Sequence, residues 1–182
     1  MAQPRPADPV LLVVVAFSQH PGALGWARDR LVAALGPVCL ESPPFDFHHT
    51  AYYQAEMGPG LRKQFFAFEE LVAPDALPSL KLRTNALEAE LAASATYPEL
   101  RPLNLDPGYL VLGKFLLATT KDQAHRVYLR DGIYAEVTLQ YRGGKFEPWP
   151  WTYADYREPH VHAFLLEARE HYRRRLRQGD GA

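Results

Sequence analysis

The sequence is poor in cysteine: Cys39 is the only one among its 182 residues. A single cysteine cannot form an internal disulfide and cannot supply a cysteine-rich zinc site. Cys39 lies in the apolar segment 38–40, where a cysteine packs as a small hydrophobic side chain. The fold must therefore rest on its own core, which a chain of this length can bury without disulfides or metals.

The sequence also lacks an excess of charge and a long hydrophobic run. Its formal net charge is -1, which gives no general attraction to nucleic acid or to an anionic membrane. The longest apolar run, residues 9–17, is too short to span a bilayer. It follows a segment with one basic side chain, Arg5, and precedes no signal-peptide cleavage motif. These absences predict a cytoplasmic protein that does not associate with membranes.

Several nucleotide-binding and catalytic motifs are missing as well. The chain has no G-x-x-x-x-G-K-[ST], no G-x-G-x-x-G and no G-x-S-x-G sequence, so P-loop NTPases are excluded at this level. His48 and His49 are adjacent, and adjacent side chains of an extended chain point in opposite directions, so one ion cannot readily bind both. The sequence predicts no metal site and names no cofactor.

Hydrophobic periodicity predicts the secondary structure of the first half. Residues 1–8 are rich in proline and predict a flexible tail, followed by a single globular domain over residues 9–178. The predicted elements are a strand at 9–17, a helix ending at Leu35 before Gly36 and Pro37, strands at 38–41 and 63–72, and a helix at 75–91.

In the second half, Asp106-Pro107-Gly108 suits a type II turn. Residues 109–120 fit either a helix or a strand, and we favour a helix because Leu112, Phe115 and Leu116 would share one face. A hairpin at 125–140, a Gly-Gly turn at 143–144 and a helix at 159–177 follow. The predicted fold class is α+β: a single domain with a split β-α-β-like core, an added antiparallel hairpin region and a C-terminal helix.

The hairpin allows two registers. A three-residue loop at 130–132 places Val127 opposite Ala135 and Arg126 opposite Glu136, which keeps apolar residues together on one face. A two-residue loop would instead place Val127 opposite Glu136. The first register predicts a cross-strand ion pair between Arg126 and Glu136 on a polar, exposed face.

Polar side chains gather between residues 106 and 136, and general acid–base chemistry needs such groups held together. The candidate catalytic residues are Asp106, His125 and Glu136, and the candidate ligand-binding residues are Lys114, Thr120, Lys121 and Arg126. Asp106 is expected to point from its turn toward Lys121 and Arg126. The alternative is a structural role, with Arg126 and Glu136 as an ion pair and residues 121–122 as a solvated turn.

Two classes of function fit these residues. The first is a small-molecule-binding domain or enzyme that acts on a polar, anionic, phosphate-bearing ligand. The second is a non-catalytic module that binds RNA or protein through the aromatic loop 45–53, the segment 149–151 and the C-terminal arginines. The sequence leaves nucleic acid open as a partner. A cleft that gathers Asp106, Lys121, Arg126 and Glu136 would favour the first class.

Eight segments, in order along nearly the whole chain, resemble the prokaryotic family described as domain of unknown function 4416. They are residues 41–45 (ESPPF), 52–53 (YY), 56–58 (EMG), 104–110 (NLDPGYL), 117–122 (LATTKD), 125–129 (HRVYL), 132–139 (GIYAEVTL) and 151–153 (WTY) with 155–156 (DY). The resemblance implies a small single-domain protein and no particular activity.

Overall fold

The computed structural model describes residues 3–47 and 53–179, and nine strands and four helices lie within them. The first elements are β1 (Val10–Ser18), α1 (Pro21–Leu35), β2 (Val38–Glu41), β3 (Phe45–Asp46), α2 (Gln54–Met57), β4 (Arg62–Val72) and α3 (Leu77–Ala93). They are followed by β5 (Asn104–Val111), β6 (Lys114–Thr119), β7 (Val127–Arg130), β8 (Ile133–Arg142), β9 (Lys145–Pro148) and α4 (Pro159–Gly179).

The strands form one antiparallel sheet in the order β2-β4-β1-β5-β6-β8-β7, with β3 beside β4 and β9 beside β8. Because β4 lies between β1 and β2, these two run parallel to each other and are connected by α1. In the same way, β1 lies between β4 and β5, so these two strands run parallel to each other, and α3 connects them. The two interleaved units give a ferredoxin-like β-α-β-β-α-β core and confirm the predicted split β-α-β arrangement.

Helices cover both faces of the core strands. On one face α1 and α3 pack against Leu12 and Val14 of β1, and on the other α4 packs against Val13 and Val15. All nine residues of β1 are buried, which explains why its sequence is continuously apolar rather than alternating. The predicted C-terminal helix is confirmed, and its buried stripe is Val161, Phe164, Leu165, Ala168 and Tyr172.

Residues 3–9 precede β1 and are exposed, without regular secondary structure. Within residues 3–47 and 53–179, no helix combines the length and the apolar character needed to cross a bilayer.

The predictions for residues 106–120 are wrong. Asp106, Pro107 and Gly108 lie inside β5, and residues 109–120 form the rest of β5, a tight turn and β6 rather than a helix. Pro107 has a strand neighbour on one side only, β1, so its missing N–H need not interrupt a second ladder. Phe115 and Leu117 both pack in the core cluster beside α4, so the buried side chains of this segment recur every two residues, which is the period of a strand.

The sheet divides between β5 and β6. The two strands pair only from Gly108, opposite Leu117, to Val111, opposite Lys114. Before Gly108, residues 104–107 pair with β1 alone, and after Leu117 the chain of β6 pairs with β8 alone. The diverging strands leave a fork, and a cavity opens there.

The β7–β8 hairpin keeps part of the predicted register but has a different turn, since Arg130 rather than the expected Leu129 pairs with Ile133. Val127 pairs with Ala135, as predicted. Asp131 and Gly132 have φ values of 56° and 75°, so the loop has two residues, and a bulge between Tyr128 and Arg130 supplies the extra residue. The apolar residues that this register keeps together were expected to be buried, which is wrong at the edge strand β7, where Val127 is 66% exposed.

Candidate functional site: a charged cavity at the sheet fork

A cavity of about 460 Å³ opens at the fork, within the usual size of a small-molecule site. Eight charged side chains line it: Lys63, Lys81, Arg101, Lys121 and Arg126 are cationic, and Asp106, Glu136 and Asp155 are anionic. Five of the seven site residues predicted from the sequence therefore line this cavity: Asp106, Thr120, Lys121, Arg126 and Glu136. Phe47, Tyr53, Tyr153 and Tyr156 add an aromatic part to the wall.

Helix α3 replaces β6 as the partner of β5 in the fork. The Leu105 N–H donates to Glu88 Oε1 at 2.7 Å, and the Leu105 carbonyl accepts from Lys81 Nζ at 2.7 Å. Backbone groups that would otherwise bond to a neighbouring strand are thus satisfied by two side chains of one helix. This exchange allows β5 to remain extended beside a cavity.

The Asp106 carboxylate points to the cationic side of the fork. Its Oδ1 lies 3.1 Å from Lys81 Nζ, and its Oδ2 accepts from Asn104 Nδ2 at 2.8 Å. Burial alone would raise the pKa of Asp106, but the charges of Lys81 and Lys63 outweigh burial and lower it. Asp106 therefore stays ionised, yet its direct cation is Lys81, which the sequence interpretation did not include.

A buried ion pair closes the floor of the cavity. Lys63 Nζ lies 2.6 Å from Asp155 Oδ2, and the two side chains are 7% and 3% exposed. The same ammonium lies 4.0 Å from the ring centroid of Phe47 and 4.8 Å from that of Phe17. The pair connects β4 to the turn that precedes α4, and the rings shield it from water.

Arg126 connects three parts of the cavity lining through its guanidinium group. Its Nε donates to Glu136 Oε2 at 2.8 Å, and its terminal nitrogens donate to the Lys121 carbonyl at 3.0 Å and to the Tyr153 hydroxyl at 2.8 Å. Three of the five guanidinium N–H groups are thus used within the protein. The predicted contact between Arg126 and Glu136 is present, but both side chains are 2% exposed, so the expectation of an exposed pair is wrong.

Glu136 lines the cavity, and one of its two carboxylate oxygens has no hydrogen-bond donor among the described residues. Oε2 receives Arg126 and lies 3.1 Å from His125 Nε2. Oε1 is buried and has no hydrogen-bond partner among the described residues. Buried carboxylate oxygens are normally hydrogen-bonded, so this atom is an acceptor available to a bound molecule.

Tyr156 lines the cavity, and the charges of all three carboxylates of the lining act on it. Its side chain is 2% exposed. Burial, followed by the charges of Asp155, Asp106 and Glu136, holds the pKa of Tyr156 well above its ordinary value. The phenol therefore stays neutral and is able to donate a hydrogen bond.

Two predicted site residues do not line this cavity. Lys114 lies at the far end of β6, and His125 faces away from the fork, with its ring stacked on Trp151 at 5.3 Å between centroids. Both line a second, less polar cavity of about 310 Å³. His125 Nε2 nevertheless lies within hydrogen-bond distance of Glu136 Oε2, so it helps to position a side chain of the first cavity.

Sequence reasoning missed six charged or amide side chains of the site: Lys63, Lys81, Arg101, Asn104, Gln123 and Asp155. One of them left a trace in the sequence. Positions 77, 81, 84, 88 and 91 form one face of α3. On that face three polar residues, Lys81, Thr84 and Glu88, lie between Leu77 and Leu91. Polar residues on a buried helical stripe indicate partners across the interface.

Cys39, Glu69 and His171 form a group of metal-ligand types outside the cavity, with ligand atoms within 4.8 Å of one another. Burial, followed by the charge of Glu69, raises the pKa of the Cys39 thiol to about 11. Arg175 also contacts Glu69. An ion would have to displace the thiol proton and compete with Arg175, so we interpret the group as an anchor between α4 and β4. His48 and His49 lie outside the described residues.

Several of the groups proposed for RNA or protein binding have partners within the described chain, although Trp151 is 37% exposed. Phe47 is 7% exposed, and Trp149 stacks on Trp151 with 5.3 Å between ring centroids. Among the C-terminal arginines, Arg173 pairs with Glu170 and Arg175 with Glu69. Tyr52, which belongs to the aromatic loop, lies outside the described residues.

The charges of the cavity do not cancel. Three cations match the three carboxylates: Lys63 with Asp155, Lys81 with Asp106, and Arg126 with Glu136. Arg101 and Lys121 are the two further cations of the lining. Glu88 lies 3.3 Å from Arg101 behind the wall, and burial raises the pKa of Glu88 despite Lys81 and Arg101. Arg101 also lies 3.9 Å from Glu56, which is likewise outside the lining. The lining residues themselves carry five positive and three negative charges, and this difference is the positive excess of the lining.

Comparison with known protein families places this chain in one of them. The family described as Domain of unknown function (DUF4416) matches residues 8–172, and the chain belongs to it. Comparisons with curated proteins and with solved structures found no match.

Proposed function

We propose that this domain binds a polar, anionic, phosphate-bearing small molecule in the cavity at the sheet fork, as a binding domain or as an enzyme acting on that molecule. The observation that carries the proposal is the positive excess of a concave lining in which every carboxylate already has a cation. Cations in a low-dielectric cleft attract anions more strongly than the same cations on an open surface.

The position of Lys121 supports this proposal. Lys121 lies in the exposed loop after β6, at the mouth of the cavity, and the Arg126 guanidinium holds its backbone carbonyl. Thr120 precedes it and adds a hydroxyl group to the same rim. An ammonium beside hydroxyl groups is a common arrangement for holding phosphate oxygens.

A thermal-shift screen tests the proposal. Each phosphorylated compound, such as ribose 5-phosphate or adenosine monophosphate, is compared with its unphosphorylated counterpart. A ligand present at 100 times its dissociation constant stabilises the folded state by about 2.7 kcal/mol, so the melting temperature should rise by several degrees. The counterparts should give no shift. If no anionic compound raises the melting temperature, the proposal fails.

A further inference from the structure

The free oxygen of Glu136 is a second feature that a ligand must satisfy. Glu136 lines the cavity, its side chain is 2% exposed, and its buried Oε1 atom has no donor among the described residues. The neighbouring guanidinium cannot readily turn to it, because Arg126 already donates to Glu136 Oε2, to the Lys121 carbonyl and to Tyr153.

A buried carboxylate oxygen gains more from a hydrogen-bond donor than a neutral acceptor does. The donor is therefore expected on the ligand. An ammonium group would satisfy Oε1 but would be repelled by the positive excess of the lining. A neutral hydroxyl group satisfies Oε1 without that repulsion.

From these contacts we infer that the ligand is a hydroxylated phosphate ester, of the polyol phosphate or sugar phosphate type, whose hydroxyl donates to Glu136 Oε1. This inference rests on the proposed function and narrows its substrate class. The phosphate faces the cationic rim at Lys121, and the hydroxylated part reaches the inner wall. Simple anions and alkyl phosphates satisfy the cations alone and leave Oε1 unpaired.

Matched pairs of phosphate esters test the inference on the wild-type protein by calorimetric titration. The pairs are glycerol 3-phosphate with propyl phosphate, and ribose 5-phosphate with pentyl phosphate. The hydroxylated member of at least one pair should bind about tenfold tighter, as expected for a hydrogen bond to a charged acceptor. If the members of both pairs bind equally, the inference is overturned while the proposed function stands. If none of the four binds, the inference is overturned, and the thermal-shift screen alone decides on the proposed function.

Glu136→Gln separates the hydroxyl contact from general attraction. Arg126 Nε needs an acceptor, so the amide oxygen takes the place of Oε2 and the amide nitrogen, a donor, takes the place of Oε1. The loss of a negative charge should leave alkyl phosphate binding unchanged or tighter, whereas the preference for the hydroxylated ester should fall to about threefold or less. An unchanged preference in this variant would overturn the assignment of Glu136.

Glu90→Gln is the matched control, because Glu90 lies on the exposed side of α3, paired with Arg30, and does not line the cavity. It should keep the wild-type affinities for all four esters. A similar loss of preference in the control would show that the effect does not come from the cavity. The comparison within the wild type remains decisive even if the Glu136 variant folds poorly.

Discussion

Lys81→Met is expected to lower the free energy of unfolding at pH 7 by about 3 kcal/mol or more, because it leaves buried groups without a partner. The Lys81 side chain is 6% exposed and serves the Leu105 carbonyl, Asp106 and, at 4.0 Å, Glu88. Glu88 is 13% exposed, whereas Asp106 is 29% exposed and partly screened by water. Most of the loss should therefore come from Glu88 and the carbonyl.

The pH dependence of this loss has a definite sign. Lys81 contributes to the lowered pKa of Asp106, and a lowered pKa gives stability that is present above the unfolded value and disappears as the pH falls through the folded value. In Lys81→Met that contribution is reduced. The two proteins should therefore become closer in stability as the pH falls through the lowered pKa of Asp106, which lies below the ordinary aspartate value.

Urea unfolding at several pH values measures both effects. Lys145→Met is the control, since Lys145 is 70% exposed and pairs only with nearby Glu147 among the ion pairs seen for it in the described chain. It should stay within about 0.5 kcal/mol of the wild type. A Lys81 variant as stable as this control would show that α3 does not hold β5 in the way described.

Gly108→Ala is the second large effect, and it should cost about 3 kcal/mol or prevent folding, at the upper end of what overpacking costs. A Cβ atom at position 108 would lie 2.1 Å from the Leu116 backbone carbonyl oxygen and 3.0 Å from Leu117 Cδ2. A backbone oxygen cannot move away without disturbing the first β5–β6 pair beside the fork. The strands would have to separate, and the cavity would change shape with them.

Gly113→Ala provides the comparison for this prediction. Gly113 lies in the turn between β5 and β6, and a Cβ atom there meets nothing within 4 Å. Its melting temperature should remain close to that of the wild type. Equal melting temperatures for the two alanine variants would mean that the close approach at Gly108 is not required by the fold.

Local patterns in the sequence were sufficient for most of the core. A continuous apolar run predicts β1, and Gly36 followed by Pro37 ends α1 where the structure ends it. Residues 109–120 failed because an apolar segment interrupted by one glycine fits a helix and a hairpin equally well. Only the neighbours β1 and β8, distant in sequence, decide between them.

The site was predictable where its residues are close in sequence. Asp106, Thr120, Lys121, Arg126 and Glu136 do line one cavity. Lys63 and Asp155 are 92 residues apart and carry no common pattern, so their pairing appears only once β4 and the turn before α4 are in place. A charged residue in an apolar strand is the one local sign that such a partner exists.

Titration of two charge variants tests whether an anion binds in the fork. Lys121→Glu reverses a charge at the cavity mouth, and Lys145→Glu makes the same change at a residue outside the lining. The ligand is the phosphate ester with the largest shift in the thermal screen. We predict that Lys121→Glu weakens its binding at least about tenfold, roughly 1.4 kcal/mol, while Lys145→Glu leaves it unchanged. Equal affinities for the wild type and both variants would contradict the account.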